Sequence, residues 1–368
     1  MNKILIITSS LLPISQTFVK SQMKALKRWD PILAAASLCE NGIDVSEINT
    51  LTLPGSSKWS INWWLRKVCA YLNFPHIQTY FALKKQNASL VHIHFGNVAV
   101  DIWPIVKMLN VPVIITLHGT DINTNKSWWM SGKGGVHNKS YPKRLLSLIK
   151  SPNVTFIAVS KAVKNRAVEY GIPEDKILVS YIGVDTDTFK PSGKPVINRN
   201  NNILFVGRMI ENKGPLVLIE AFKTVITKIP DASLIMIGDG PLLKEAKKLA
   251  DKYYLPITFL GAQPSSEVLK QLSLAKVFCL PSYTLPTGQS EGMPIVTLEA
   301  QACGVPVVTS ARGSSTEGII NGETGFRVKE KSVDDLSEKL IKTLTCDQFC
   351  LKAPNEARRF ICESFDIK

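Results

Sequence analysis

Two glutamates eight positions apart, Glu291 and Glu299, stand in the run SEGMPIVTLEAQACGVPVVT (residues 290–309), with Gly292, Met293 and Pro294 directly after the first. The pattern predicts a helix that contains Glu299 and runs to about Cys303, where Gly304 stops it. Eight residues span about 12 Å of helix axis. That reach suits one carboxylate at each end of an extended anionic ligand, with the free N–H groups of the helix N-terminus on its phosphates. In a nucleotide sugar, the sugar, pyrophosphate and ribose follow in that order. Two solvated glutamates on an amphipathic helix are the plain alternative; the Gly and Pro after Glu291 and the strand-like run Val305 to Thr309 speak against it.

Cations come from GRMIENKG (207–214), which sets Arg208 and Lys213 between a strand end and a helix opened by Pro215. Two cations at a helix N-terminus can neutralise a diphosphate, and an ordinary basic turn is the alternative. The order of a Walker loop is missing. GDGP at 238–241 reads as a structural turn, since one G-x-G without a third glycine is a weak dinucleotide signal. The stretch Ser9 to Phe18, after the first strand, has no glycine, which argues against a dehydrogenase or epimerase.

His118 ends a strongly apolar run and is followed by Gly119, Thr120 and Asp121. A histidine there projects into a ligand cleft, or else is a core histidine bonded to backbone; the neighbours favour the cleft. His92 and His94 share a strand face, but with no third ligand a zinc site is not expected. Asp185-Thr186-Asp187 invites a metal, yet its place in a linker favours a turn or helix cap.

The elements that must hold these residues repeat a simple pattern. Runs at Lys3 to Thr8, Ile32 to Leu38, Leu90 to Phe95, Val111 to Leu117, Val154 to Val159 and Ile177 to Ile182 are rich in Val and Ile, as in strands covered on both faces. A second series follows at Ile203 to Val206, Ser233 to Ile237, Ile257 to Leu260, Val277 to Leu280 and Val305 to Thr309, with helical stretches between. The α/β class with two doubly wound parallel sheets results, facing each other across a cleft. Expected domains are 1–183, a linker at 184–202 where Pro, Gly and Asn cluster, 203–345, and a helical tail at 346–368. Ligands in such sheets sit beyond the C-terminal strand ends.

With 368 residues the chain is long enough for two cores, and 45% hydrophobic with 20% charged residues describes a soluble globular protein. No apolar run approaches the roughly 18 residues of a spanning helix, and MNKILIITSS reads as a buried strand. A cytoplasmic protein is expected. Seven cysteines without a C-x-x-C pair fit reduced thiols. Of the net charge of +14, residues 1–190 carry +11, with 22 Lys and Arg against 11 Asp and Glu. That asymmetry wants an anionic partner. No nucleic-acid-binding pattern accompanies it, so no nucleic acid is expected, and an anionic membrane leaflet is the other candidate. Lys58 to Phe74 reads as a helix with Ile61, Trp64, Leu65, Val68 and Leu72 on one stripe beside Lys58, Arg66 and Lys67; Trp128, Trp129 and Met130 read as an exposed aromatic loop. Peripheral contact with membrane and ordinary packing on the sheet are both open for these residues.

Taken together, HFG at His94 to Gly96, HGTD at His118 to Asp121, GVDTDTFKP, GRMIENKG, GDGPL and the paired glutamates backed by GVPVV resemble the large retaining glycosyltransferase family 4. Within it the chain is most similar to bacterial exopolysaccharide and colanic-acid-type transferases, and the resemblance covers nearly its whole length. It implies the GT-B fold of two Rossmann-like domains. It also implies transfer from a nucleotide-sugar donor to a growing glycan, as a polyprenyl-diphosphate-linked oligosaccharide at the inner face of the membrane, in exopolysaccharide, capsule or O-antigen synthesis. By that resemblance Glu291 contacts hydroxyls of the transferred sugar, the backbone of Gly292, Met293 and Pro294 meets the pyrophosphate, and Glu299 holds the ribose. Arg208 and Lys213 stabilise the departing nucleoside diphosphate, and His118 lies near the anomeric centre. Ser15, Thr17, His94 and Asp121 fall on the acceptor side. No metal and no other cofactor is expected, since preorganised cations can take a metal's place.

The chain departs from the family in three places. Arg312 to Glu317 (RGSSTE) stands where relatives show a GGIPE-like run, and Gln16 replaces Glu in a P-x-S-E-T-F run. The chain ends at Phe365 to Lys368, near where relatives continue into a helix crossing back to the first domain. A sugar phosphorylase of the same fold and a non-catalytic basic nucleic-acid-binding protein are the alternative readings; the first lacks an evident cofactor lysine motif and the second leaves the glutamates unexplained.

Overall fold

The computed structural model describes residues 1–13, 16–39, 42–57, 59–310 and 312–368. The chain divides into two compact units, Met1–Tyr181 and Ile182–Lys368. The first holds seven parallel strands, β1 (Asn2–Thr8), β2 (Trp29–Ala35), β3 (Thr50–Thr52), β4 (Leu90–His94), β5 (Val113–Leu117), β6 (Val154–Ala158) and β7 (Ile177–Val179), in the order β3-β2-β1-β4-β5-β6-β7. The second holds six, β8 (Asn202–Val206), β9 (Ser233–Ile237), β10 (Ile257–Gly261), β11 (Val277–Leu280), β12 (Val307–Thr309) and β13 (Gly325–Arg327), in the order β10-β9-β8-β11-β12-β13, all parallel.

The central strands are apolar on both faces because helices cover both. Ile4, Leu5, Ile6 and Ile7 of β1 are all buried, Ile4 and Ile6 packing with Leu12, Val19, Met23 and Leu33. The sequence pattern misses β3 and β13, three-residue strands at sheet edges, too short for a periodicity signal. In each sheet the order reverses beside the first strand, between β1 and β4 and between β8 and β11. At such switch points the crevice beyond the strand ends is open to a ligand.

The stretch 184–202 is not the loose linker that its composition suggests. Val184, Thr186, Phe189, Val196 and Arg199 are buried in the second unit. Arg199 donates to the carbonyls of Ser192, Lys194, Leu272 and Ala275. Arg358, on the helix Asp347–Ser364, donates to those of Thr186, Phe189 and Ala302. Two guanidinium groups satisfy carbonyls that Pro- and Asn-rich backbone leaves unpaired. They also bind residues 346–368, expected as a tail, into the same unit.

Candidate functional site

In the second unit, the loops after β8 and β11 and the helix that follows the second carry the predicted donor-side residues. The β8 loop ends in a short 3-10 turn, Glu211–Lys213, and in Gly214 with φ 68° before the helix Pro215–Lys228. A Cβ on Gly214 would sit 2.2 Å from the carbonyl oxygen of Pro281, so only glycine lets the cation loop close on the β11 loop. Gly238 of the GDGP turn does the same service, its missing Cβ leaving room for the carbonyl oxygen of Gly207, which would be 1.9 Å away. That turn supports the β8 loop, as a structural turn should.

Lys213 Nζ lies 2.6 Å from Glu291 Oε1. The same oxygen accepts from the hydroxyl of Ser282 at 2.9 Å, and the carbonyl of the fully buried Ser282 accepts from Ser310 Oγ at 3.1 Å. The carbonyl of Asn212 accepts from the Tyr283 N–H at 2.9 Å. Lys213 of the β8 loop and Ser282 of its own loop therefore hold Glu291, and Ser310 of the β12 loop holds Ser282. Arg208 is exposed and has no ion pair among the described residues.

The helix behind Glu291 starts later than the sequence suggests, at Ile295, and ends at Ala302. Proline at 294 forces its predecessor out of the helical region, so Glu291 rides on a loop, and a helical ruler from 291 to 299 does not apply. Pro294 is the N-cap, and no side chain caps the helix. Pro294 itself has no N–H to offer a phosphate; Gly292 and Met293 are buried beside it. Glu299, on the helix, is pushed up to about 7 by burial.

In the first unit, β4 and β5 bring three histidines together. His92 Nε2 is 2.7 Å from Thr116 Oγ1, and His94 Nδ1 is 2.9 Å from His118 Nε2. The second distance is one shared hydrogen bond, with no room for an ion between the rings. Among the described residues no group of three His, Cys, Asp or Glu is placed to hold a metal. Burial keeps all three neutral, lowering His92 to about 4, His118 to about 3, and His94 well below the usual histidine range. His118 packs between Phe18 and Phe95, at 4.9 and 4.4 Å between ring centroids. Phe95 has φ 74°, a conformation that costs a non-glycine residue on the order of 1 kcal/mol or more.

His94 and Asp121, expected to face an acceptor, are 1% and 3% exposed. The Asp121 carboxylate accepts the N–H groups of Gly96, His118 and Gly119 at 2.8, 3.1 and 2.9 Å. It ties the HFG turn to the HGTD turn. Burial raises Asp121 to about 6 against the pull of those N–H groups. Thr17 opens the helix Thr17–Ala25 and is half-buried. Ile14, Ser15 and Lys58 lie outside the described residues. Asp185 accepts from the N–H groups of Asp187 and Thr188 and from the Thr188 hydroxyl, as a turn residue does, and Asp187 pairs with Lys368.

A cavity of about 350 Å³ opens beyond β1, lined by Thr8, Ser9, Arg66, Lys67, Asn97 and His137 among others. Arg66, expected on an outer face, points inward and donates to the carbonyls of Ala36 and Gly55. Its helix, Ile61–Leu72, buries no residue. Ile61, Trp64, Leu65, Val68 and Leu72 are 48–79% exposed; Trp59 and Phe74 at its ends, and Ile77 and Phe81 beyond, are exposed too. Residues 48–100 contain no Asp or Glu and five Lys or Arg. Trp128 and Trp129, by contrast, are half-buried, the Trp129 ring tilted against that of Tyr141 at 4.8 Å between centroids. Among the described residues no helix is long and apolar enough to cross a membrane.

Ser282 and Ser310 escape the sequence reading, although they lie two residues and one residue past strand runs, where topology says to look. Asn212 is masked by the cations around it.

Known proteins are similar to this chain in sequence and fold. The family model for glycosyl transferases group 1 matches residues 187–360, and that for glycosyltransferase family 4 matches residues 36–188. The amylovoran biosynthesis glycosyltransferase AmsK of Erwinia amylovora is 26% identical over 69% of this chain and 60% of its own length. The putative colanic acid biosynthesis glycosyltransferase WcaL of Salmonella typhimurium is 27% identical over 82% of this chain and 70% of its own. A solved structure of Anabaena HepE in complex with UDP and glucose superposes with a TM-score of 0.81, at 17% identity, over 100% of this chain and 96% of that one. With both halves of the chain matched and both sheets of the Rossmann-like type, the protein belongs to the family 4, group 1 glycosyltransferases of the GT-B fold.

Proposed function

We propose that this chain transfers a hexose, with retention of configuration and without a metal, from a nucleotide-sugar donor to a growing glycan on a polyprenyl diphosphate, in the synthesis of a bacterial surface polysaccharide. The observation that carries the reading is the Lys213–Glu291 pair at the C-terminal edge of the second sheet. Breaking the bond between sugar and phosphate builds negative charge on the leaving group and positive charge on the anomeric carbon. Lys213 and Arg208 supply preorganised cations for the first. When a donor arrives, Lys213 turns from Glu291 to the diphosphate, and Glu291, still held by Ser282, takes hydroxyls of the sugar. The N–H groups of Gly292, Met293 and the uncapped first turn meet the phosphates, and Glu299 takes the ribose. His118 acts as a neutral hydrogen-bonding group at the reacting end, since a histidine lowered to about 3 carries no charge at neutral pH.

The ligands of HepE, UDP and glucose, and the names of AmsK and WcaL support a nucleotide-sugar donor and a polysaccharide product. For the acceptor, the cavity beside Arg66 and Lys67 offers cations to a diphosphate, and the apolar outer face of the helix Ile61–Leu72, in an acid-free stretch, suits an anionic membrane surface. The test is turnover of a panel of nucleotide sugars with a synthetic polyprenyl-diphosphate sugar, read by the anomeric NMR signal of the product. An α-linked donor should give an α-linked product at the same rate with and without chelator. An inverted product, a chelator-sensitive rate or no turnover with any donor would contradict the proposal.

A further inference from the structure

The residues that follow β13, at the edge of the second sheet, run past the loops after β11 and β12. There the Glu330 carboxylate serves both loops. Its Oε1 accepts from the N–H of Thr284 at 3.1 Å and from the Thr284 hydroxyl at 2.9 Å. Its Oε2 lies 3.5 Å from Arg312 Nε. The next residue, Lys331, turns back with φ 61° and sets its ammonium 4.4 Å from the ring centroid of Tyr283. Two consecutive residues thus grip Tyr283 and Thr284, in the loop that leads from β11 to Glu291.

That loop folds on itself, with Leu285 N–H donating to the Gln289 carbonyl at 2.9 Å and Gly288 N–H to the Leu285 carbonyl at 2.8 Å. A closed turn of this kind moves as one piece, and its ends decide where it points. One end is Thr284 on Glu330; the other is Glu291 on Ser282 and Lys213. The two arms of Glu330 differ in weight. Arg312 is 80% exposed, and its contact is screened by solvent. The Glu330 side chain is only 14% exposed, so its two bonds to Thr284 are charge-assisted and largely sheltered.

We propose that Glu330 is a positioning residue for Glu291, acting through Oε1 and Thr284. The proposal rests on the transferase reading above, in which Glu291 holds the transferred sugar. It is tested by measuring kcat and KM for the nucleotide sugar, and Kd for its nucleoside diphosphate, in the full-length enzyme and four variants. Glu330→Ala should lower kcat on the order of 10-fold while the diphosphate Kd stays within about 2-fold, because misplacing one reacting contact costs rate without touching the phosphate cations. Glu330→Gln, whose amide oxygen still accepts from Thr284, should recover most of the rate. Thr284→Val should fall between, and Arg312→Ala should match the parent.

A parental kcat in Glu330→Ala overturns the proposal. So does Glu330→Gln as slow as Glu330→Ala, which would assign the effect to the charge on Arg312, or a parallel loss of kcat and diphosphate affinity, which would mean general loosening. Should Glu330→Ala fail to fold, Thr284→Val decides alone, an unchanged kcat sinking the idea. If the parent enzyme turns over no nucleotide sugar, the transferase reading itself falls and takes the proposal with it.

Discussion

The two glutamates owe their separate behaviour to their surroundings. Glu291 meets a cation and a hydroxyl within 3 Å; Glu299 has burial pushing it up to about 7 from the ordinary 4.5. Between those two pH values the folded chain holds a proton that the unfolded chain releases, so stability declines as pH rises from about 4.5 through about 7. Glu299→Gln removes that penalty. Its melting temperature should exceed the parent's by on the order of 5 °C at pH 8 and match it near pH 5; equal melting at both pH values would show that Glu299 is an ordinary solvated carboxylate. The price appears in binding, where Glu299→Ala should weaken nucleoside diphosphate more than Glu291→Ala does, while Glu291→Ala removes turnover. Calorimetry beside initial rates checks this, and equal losses in both assays would mean that the roles are divided wrongly.

At the scale of elements, the buried strands were plain in the sequence because covering both faces of a parallel sheet demands unbroken Val and Ile runs. Loops were legible only where glycine or charge marked them. Gly214 and Lys213 announce the cation loop, whereas Glu330 sits 39 positions from Glu291, and nothing local ties it to Thr284. Proline misled in both directions. Pro294 delays the helix behind Glu291, and the Pro-rich stretch after 183 looked unburied because the guanidinium groups that hold it, Arg199 and Arg358, come partly from far along the chain. The helix Ile61–Leu72 was read from its apolar stripe, and the structure leaves that stripe uncovered. Since Arg66 turns inward and Lys67 lines the cavity, the variant that isolates the outer face is Trp64→Ser with Leu72→Ser. Vesicles containing phosphatidylglycerol should co-sediment the parent and lose most of the variant. Equal sedimentation of both would remove this helix from any membrane contact.

For the whole molecule, the family assignment and the uneven charge point to a division of labour. The second unit carries the glutamates, the uncapped helix start behind Glu291 and Arg208 with Lys213. The first carries +12 of the +14, with 21 Lys and Arg against 9 Asp and Glu in residues 1–181, a neutral histidine cluster and a cation-lined cavity. Composition alone made that asymmetry visible; which cations face a cavity and which face solvent needed the fold. The account stands or falls on whether the second unit recognises a nucleoside diphosphate through those two cations without a metal. Isothermal titration of the full chain with a panel of nucleoside diphosphates, in chelator, measures this directly. One diphosphate should bind, with the same affinity in chelator, and Arg208→Ala/Lys213→Ala should lose that binding by on the order of 100-fold. Binding that needs a divalent metal, or that survives in the double variant, would contradict the account.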